Sequence, residues 1–353
     1  MSDILFILKR REDFNELVHN TRGLSTGLLN SATFMVDMLN SDNITTEIEV
    51  AVDNNCIDRL VNLHKPTVVI IEALWVIPSK FALLSKLHPD VTWIIRLHSD
   101  MPFMALEGMS FEWIGDYLNH PNIVLAPNSP RMYKELQVYA RSIHYNWPED
   151  YLERKIVYLP NYYPIKPISK KLNKNKHWVD ISCFGAVRPL KNHVMQAVAA
   201  LEFAESLNKE LRFHINIGRI EGGAHPALRN LQGMFEHLAD KGHQLVGHNW
   251  MDRDAFVEVC SQMDIGMQVS FNETFNIVGA DIISQGVPFV GSLDEIPWGS
   301  NYFMANPAES SSIVEALHRA YKWPRVNARI HTNNICSYSK KTRKIWAKYF
   351  KGY

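Results

Sequence analysis

The chain has 353 residues, enough for two cores of ordinary domain size. With 46% apolar residues, 21% charged residues and a formal net charge of zero, it is no disordered or fibrous protein. It also carries no global field that would draw it to nucleic acid or an anionic membrane.

The chain opens on an apolar run at 2–9 that is too short for a secretory leader and meets Lys9-Arg10-Arg11-Glu12-Asp13. No stretch has the length of a membrane span, so a cytoplasmic protein is expected. The first set of strands is predicted at 3–9, 47–52, 67–73, 91–97, 122–126 and 155–159. Helices are predicted between them at 27–39, 56–63 and 78–87. A second set of strands follows at 179–184, 212–217, 244–246, 264–269 and 288–290, with helices at 192–207, 227–240 and 254–263. Runs such as Val68-Val69-Ile70-Ile71 are continuous rather than alternating, which suits parallel strands covered on both faces. Two successive strand–helix sets predict an α/β protein of two Rossmann-like doubly wound domains flanking an interdomain cleft.

The predicted division is 1–165 for an N-terminal acceptor domain and 178–325 for a C-terminal donor domain. The segment 160–176 carries three prolines, five lysines and no acid, so 166–177 reads as the linker. Residues 322–353 also lack Asp and Glu, and 326–353 reads as a basic tail or helix. Cys56, Cys183, Cys260 and Cys336 lie far apart in no metal-binding pattern and suit buried thiols in a reducing compartment.

Chemistry concentrates in two loops of the second half. Phe184-Gly185-Ala186-Val187-Arg188-Pro189-Leu190-Lys191-Asn192 sets a strand end, a tight turn and two cations before a helix. A phosphate site is one reading, since helix N-terminus and cations both attract negative charge; a solvated loop is the other. Ser270 to Asp281 follows the next strand and places Glu273 in a loop and Asp281 within a helix. Ionised acids are strong acceptors suited to vicinal hydroxyls, or else a cap and a solvated acid.

Taken together, these residues resemble the retaining glycosyltransferases of the GT-B fold that share an E-x7-E donor motif. The resemblance covers roughly 178–310. It implies that Arg188 and Lys191 bind the donor diphosphate and that Glu273 contacts the transferred sugar. Gly185 and the amides around Phe275, Asn276 and Ile277 would cradle sugar and phosphate, and Asp281 would hold the ribose. The second acid here is Asp rather than Glu, one methylene shorter. In the first half, the loop after the first strand resembles the donor-approach loop of such enzymes through Gly27. Its neighbours Ser25 and Thr26 read either as hydrogen-bond donors or, for Thr26, as a helix cap. His98, after its strand, is the candidate for a donor-sugar contact, with Asp100 and Glu107 on the acceptor side.

Asp252-Arg253-Asp254 spells a metal-binding D-x-D, yet it opens a helix, where Asp is a natural cap. No metal or other cofactor is expected beyond the nucleotide-sugar co-substrate, since cations and helix dipoles would stabilise the leaving diphosphate.

Segments within 25–130 resemble glycosyltransferases of bacteriophage and environmental viral genomes, some of which glycosylate hydroxymethylated pyrimidines in DNA. That resemblance implies 5-hydroxymethylcytosine in viral DNA as acceptor, in the cytoplasm of a host. The basic linker and Lys340, Lys341, Arg343, Lys344, Lys348 and Lys351 would meet the phosphates, and Trp75 or Trp113 would pack on a flipped base. A surface polysaccharide or a lipid-linked glycan is the alternative acceptor. A non-catalytic sugar-nucleotide-binding module and a nucleotide-sugar epimerase are alternative functions. For the tail, Ile345, Trp346, Tyr349 and Phe350 at helical spacing also suit an interfacial membrane helix. A strap across the N-terminal domain is the third reading.

Overall fold

The computed structural model describes residues 3–9, 26–168, 170 and 172–350. The chain divides into two compact units, Met1–Tyr163 with Ser339–Tyr353, and Pro164–Tyr338.

In the first unit, β1 (Ile4–Lys9), β2 (Thr46–Ala51), β3 (Val68–Glu72), β4 (Thr92–Leu97) and β5 (Ile123–Pro127) form a parallel sheet in the order β2-β1-β3-β4-β5. Successive side chains of a strand point to opposite faces, so one run of apolar residues feeds two cores. Leu5, Ile7, Val69, Ile71, Trp93 and Ile95 enter the core built with α2 (Cys56–His64), α3 (Pro78–Leu87), α5 (Ser110–Leu118) and α6 (Pro130–Ile143). Between α3 and α5 lies the single turn α4 (Met101–Met104). Ile4, Phe6, Leu8, Val68, Ile70 and Ile94 enter the other core, against α1 (Thr26–Ser41). Residues 155–159, expected as a strand, differ: α7 (Glu149–Lys155) runs to Lys155, and Ile156 makes one parallel bridge to Leu125. The reason is Lys155, whose buried ammonium donates to the carbonyls of His120 and Ile123 and pins the helix end there.

In the second unit, β6 (Trp178–Cys183), β7 (Glu210–Asn216), β8 (Gln244–His248), β9 (Ile265–Gln268), β10 (Phe289–Ser292) and β11 (Met304–Ala305) form a parallel sheet in the order β11-β10-β9-β6-β7-β8. Its connections are α8 (His193–Ser206), α9 (His225–Glu236), α10 (Arg253–Gln262), α11 (Ile277–Ser284) and α12 (Ser310–Lys322). Lysines of the expected linker lie on this unit. Lys170 Nζ donates to the carbonyls of Ser261 and Met263, both at 2.5 Å, and Lys176 Nζ reaches Asp180 at 3.0 Å and Asp264 at 3.3 Å.

The last helix, α13 (Pro324–Phe350), is divided between the units at Ser339. Trp346 is fully buried in the first unit, stacked on Phe6 at 6.2 Å, and its Nε1 donates to Pro160 O at 2.9 Å. Ile345, Tyr349 and Phe350 pack around the same core. The interfacial-membrane reading of this stripe is therefore corrected: helical spacing marks an apolar face, and here a core covers it. Among the described residues no helix is long and apolar enough to cross a membrane. Trp346→Ala is expected to cost about 3–5 kcal/mol of stability, the usual range for emptying a buried aromatic site. Thermal unfolding checks this, and an unchanged melting temperature would remove the helix end from the core.

Candidate functional site

In an open parallel sheet the carboxyl ends of the strands carry loops and helix N-termini, and ligands bind there. In the second unit β6 lies between β7 and β9, so the loops leaving β6, β7 and β9 emerge side by side. After β6, Gly185 adopts φ +105°, and its N–H donates to Asn216 Oδ1 at the end of β7, at 2.8 Å. Among the described residues a Cβ there would meet only Val278 Cγ2 at 3.8 Å, so it is the backbone conformation that requires glycine. Pro189–Lys191 form one 3₁₀ turn. Asn192 then turns left-handed at φ 58° and ties the loop to the carbonyls of Val269 and Pro307 at 3.2 and 2.8 Å. Arg188 and Lys191 thus flank one rigid turn directly before α8.

The loop after β9 meets that turn. Lys191 Nζ donates to Glu273 Oε1, and Gln268 Oε1 lies at 3.5 Å. The pair is sheltered, the Lys191 and Glu273 side chains being 17% and 9% exposed. Gln196 reinforces the junction, donating to Lys191 O at 2.7 Å and accepting from Val269 N at 2.8 Å. Asn276, at φ 60°, caps α11 by accepting from Gly279 N at 2.7 Å, while its amide donates to Gln268 at 3.3 Å. Ile277 is the first residue of α11. The side chain of Phe275 is core, packed on Trp298 and Tyr338, so only its backbone is placed to meet a ligand. Asp281 is buried within α11 and accepts from Arg253 Nη2 at 3.1 Å. Asp252 caps α10 by accepting from Ala255 N at 2.9 Å, so this D-x-D opens a helix, as read from the sequence.

Arg188 is held on the other side of its turn. Its Nε and Nη2 both reach Glu221 Oε2 at 2.5 Å, and Arg219 Nε donates to Glu221 Oε1. Arg219, Glu221, Gln268 and Arg253 were not anticipated. Gln268 left a legible signal, a polar residue ending a continuous apolar strand.

The same signal marks Glu72 at the end of β3. Glu72 and Arg96 are cross-strand partners, both fully buried, joined at 2.6 Å. His98 Nε2 lies 2.5 Å from the second Glu72 oxygen, Asn128 Nδ2 donates to His98 Nδ1 at 3.3 Å, and Arg96 Nη2 donates to Asn161 at 2.5 Å. Burial acts to raise the Glu72 pKa, but Arg96 and His98 outweigh it and hold the carboxyl ionised. Burial lowers the pKa of His98, more than Glu72 raises it, and favours the neutral ring. An ionised carboxylate only accepts, so Nε2 carries the proton and Nδ1 the lone pair. His98 therefore stands at its strand end in one fixed tautomer.

The other residues singled out in this unit are placed as follows. Asp100 is buried, accepting from Ser129 Oγ at 2.5 Å and from Arg131 Nη2 and Nε at 2.7 and 3.0 Å. It ties the start of α4 to the start of α6. Glu107 is exposed and accepts from Ser110 Oγ at 3.2 Å. Trp75 and Trp113 are partly buried against the core. Thr26 opens α1 and Gly27 follows it; Ser25 and Lys351 lie outside the described residues.

No family model matches this chain, and no curated protein matches it in sequence. Solved structures do match its shape. HepE from Anabaena, in complex with UDP, is 12% identical with a TM-score of 0.64, covering 100% of both chains. Sucrose-phosphate synthase from Thermosynechococcus elongatus is 10% identical with a TM-score of 0.68, covering 100% of this chain and 99% of that one. A UDP-forming α,α-trehalose-phosphate synthase from Burkholderia xenovorans is 13% identical with a TM-score of 0.65, covering 100% and 98%. These likenesses establish the fold, two Rossmann-like α/β units of the GT-B class.

Proposed function

We propose that the protein is a glycosyltransferase that moves a sugar from a nucleotide-sugar donor to a hydroxyl acceptor with retention at the anomeric carbon. The observation that carries this is the meeting of the Arg188–Lys191 turn and the Glu273–Asn276 loop at adjacent strand ends. An ammonium has three donors. Lys191 directs two at Glu273 and Gln268, and the third suits a phosphate oxygen of the leaving diphosphate. Glu273 contacts hydroxyls of the transferred sugar, the amides opening α11 face its phosphate, and Asp281 holds the ribose. Neutral His98 donates or accepts at the sugar only by exchanging a present partner. Asp100 takes no part, since both its oxygens already have partners. That HepE binds UDP within the same fold supports a nucleoside-diphosphate donor.

For the acceptor the proposal is 5-hydroxymethylcytosine in DNA. It rests on the viral resemblance and on Lys340, Lys341, Lys344 and Lys348, which are exposed along one face of α13. Arg343 is excluded from that face, because Asp42 holds it at 2.5 Å. Incubation with a panel of nucleotide sugars and hydroxymethylcytosine DNA, read by mass spectrometry, tests the whole reading. A hexose or pentose mass added to the DNA supports it. Addition only to a polysaccharide or lipid-linked glycan overturns the acceptor, and donor consumption with no transfer in any mixture overturns the reaction. Binding has its own test. Each phosphate contact adds about 0.9 to the slope of log K against log salt, so changing Lys340, Lys341 and Lys344 to Gln should flatten that slope by about 2–3. An unchanged slope removes α13 from the DNA site.

A further inference from the structure

Around His98 the buried polar side chains of the first unit close into a ring. Arg96 Nη1 donates to Glu72 Oε1 at 2.6 Å, and Arg96 Nη2 to Asn161 Oδ1 at 2.5 Å. Asn128 Nδ2 lies 3.5 Å from the same Asn161 oxygen and 3.3 Å from His98 Nδ1, and His98 Nε2 returns to Glu72 Oε2. Glu72 and Arg96 are fully buried, and Asn128 and Asn161 nearly so. The His98 side chain, 16% exposed, is the ring's opening to solvent. His98 and Asn128 also make further interactions.

Two charges fix the direction of the bonds in this ring. A guanidinium donates and does not accept, and an ionised carboxylate accepts and does not donate. Asn161 therefore turns its oxygen to Arg96, and Asn128 turns its amide nitrogen to that oxygen. The same nitrogen faces His98 Nδ1, which serves as an acceptor while Nε2–H serves Glu72. Of the charged groups facing His98, Glu72 on β3 attracts an imidazolium, while Arg96 on β4 acts with burial against it. Asn161 opposes the imidazolium as well. A proton on Nδ1 needs an acceptor from Asn128, and turning that amide over would set Asn128 Oδ1 against Asn161 Oδ1 with no hydrogen between them.

Asn161 lies in no helix or strand, and the end of α13 holds it. Trp346 Nε1 donates to Pro160 O at 2.9 Å and Thr342 Oγ1 to Asn161 O at 3.1 Å. Ser339 Oγ accepts from Tyr163 N at 3.2 Å and donates to Tyr163 O at 2.9 Å. The Trp346 ring also covers Arg96, whose guanidinium carbon stands 5.3 Å from its centroid.

We propose that Asn161 is a positioning residue that keeps His98 a neutral acceptor at Nδ1, and that the end of α13 holds it in that role. His98 then meets a ligand hydroxyl that donates to Nδ1 in place of Asn128, whose contact at 3.3 Å is longer than that of Glu72 at 2.5 Å. The use of His98 rests on the donor-site reading above; the state of its ring does not.

The test is 15N NMR of the full chain labelled at histidine, with the His98 signals assigned by their loss in His98→Gln. In wild type the ring should be neutral at about pH 6.5, with its proton on Nε2. Asn161→Leu keeps the volume, removes the oxygen and frees the Asn128 amide to turn. The His98 titration midpoint should then rise by about one pH unit. Thr342→Val should move it the same way by less. In an Asn128→Leu background there is no amide to turn, so Asn161→Leu should add little, whereas a loosened core would move His98 in both backgrounds. Donor turnover by Asn161→Leu should fall at about pH 6 and recover at about pH 8, where the ring is again neutral. A charged wild-type ring at about pH 6.5, an unchanged midpoint in Asn161→Leu, or an equal shift in the Asn128→Leu background overturns the proposal. An unchanged midpoint in Thr342→Val overturns the part given to α13. Should Asn161→Leu melt far below wild type, Asn161→Ala and Thr342→Val decide in its place. If wild type turns over no nucleotide sugar, the proposed function itself falls, a result distinct from any outcome of the titration.

Discussion

Lys191→Ala is expected to lower turnover of the nucleotide-sugar donor about 10²–10³-fold, the usual loss for one electrostatic donor aimed at developing charge. The geometry sharpens this expectation into a separation of roles. Lys191 is the cation on a sheltered carboxylate, so its removal leaves Glu273 charged, 9% exposed and without its ammonium. Stability should therefore fall as well, by about 1–3 kcal/mol. The double variant Lys191→Ala/Glu273→Ala removes the stranded charge and should regain much of that stability while turnover stays lost. Arg188→Ala should give a comparable loss of turnover with a smaller change in stability, since its side chain is 29% exposed. Kinetics on purified protein, with thermal melts of the same samples, check both. Near-normal turnover in Lys191→Ala or in Arg188→Ala would remove that residue from the donor site.

How much of this was legible in the sequence depends on how far apart the partners lie. Val68 to Ile71 announced a strand covered on both faces, and the structure buries all of β3. The turn carrying Arg188 and Lys191 and the loop carrying Glu273 were visible because each is a local pattern between a strand and a helix. Glu72 and Gln268 left the signal of a polar residue closing an apolar strand, but their partners lie on other strands. The bond from Arg188 to Glu221 spans 33 positions and is set by strand order, which no local spacing reveals. Trp346 shows the converse limit. Its spacing with Ile345, Tyr349 and Phe350 correctly marked an apolar helix face, yet periodicity does not say whether lipid, a partner or the protein's own core covers that face. The two-residue strand β11 is simply too short to carry a pattern.

Acid should begin to destabilise the second unit below about pH 6.5, before its carboxylates titrate, because two of its histidines are buried neutral. His193 opens α8 with neither ring nitrogen hydrogen-bonded among the described residues, and burial, with Lys191 adding to it, lowers its pKa to about 4. His331 in α13 is lowered by burial to about 3. Its tautomer is fixed by its neighbours: Ser300 N donates to Nε2 at 3.3 Å, so Nδ1 carries the proton and donates to Asn327 Oδ1 at 3.1 Å. Protonating Nε2 would set a donor against a donor among Phe289, Trp298 and Phe303. Both folded pKa values lie below the unfolded value of about 6.5. The unfolded chain therefore binds more protons below that pH, and stability, full above pH 6.5, falls as pH drops. Each group contributes a slope of about 1.4 kcal/mol per pH unit, so the pair removes roughly 7 kcal/mol over the 2.5 units down to about pH 4. That is comparable to the whole stability of an ordinary domain. Other buried charges act in different windows. Burial acts to raise the pKa of Asp180, but hydrogen bonds from His214 and Lys176 hold it at about 2, so its contribution is lost only below 3.8. Lys155, lowered by burial to about 8, acts only in alkali. Denaturant unfolding of the second unit, measured from pH 7.5 to 4.5, should be nearly flat above about pH 7 and approach a slope of two protons from this pair below about pH 6. His331→Gln, which offers a neutral donor and acceptor, should be less stable at pH 7 but should lose about half of that slope. An unchanged slope in His331→Gln would show that His331 is not the residue that couples protons to unfolding.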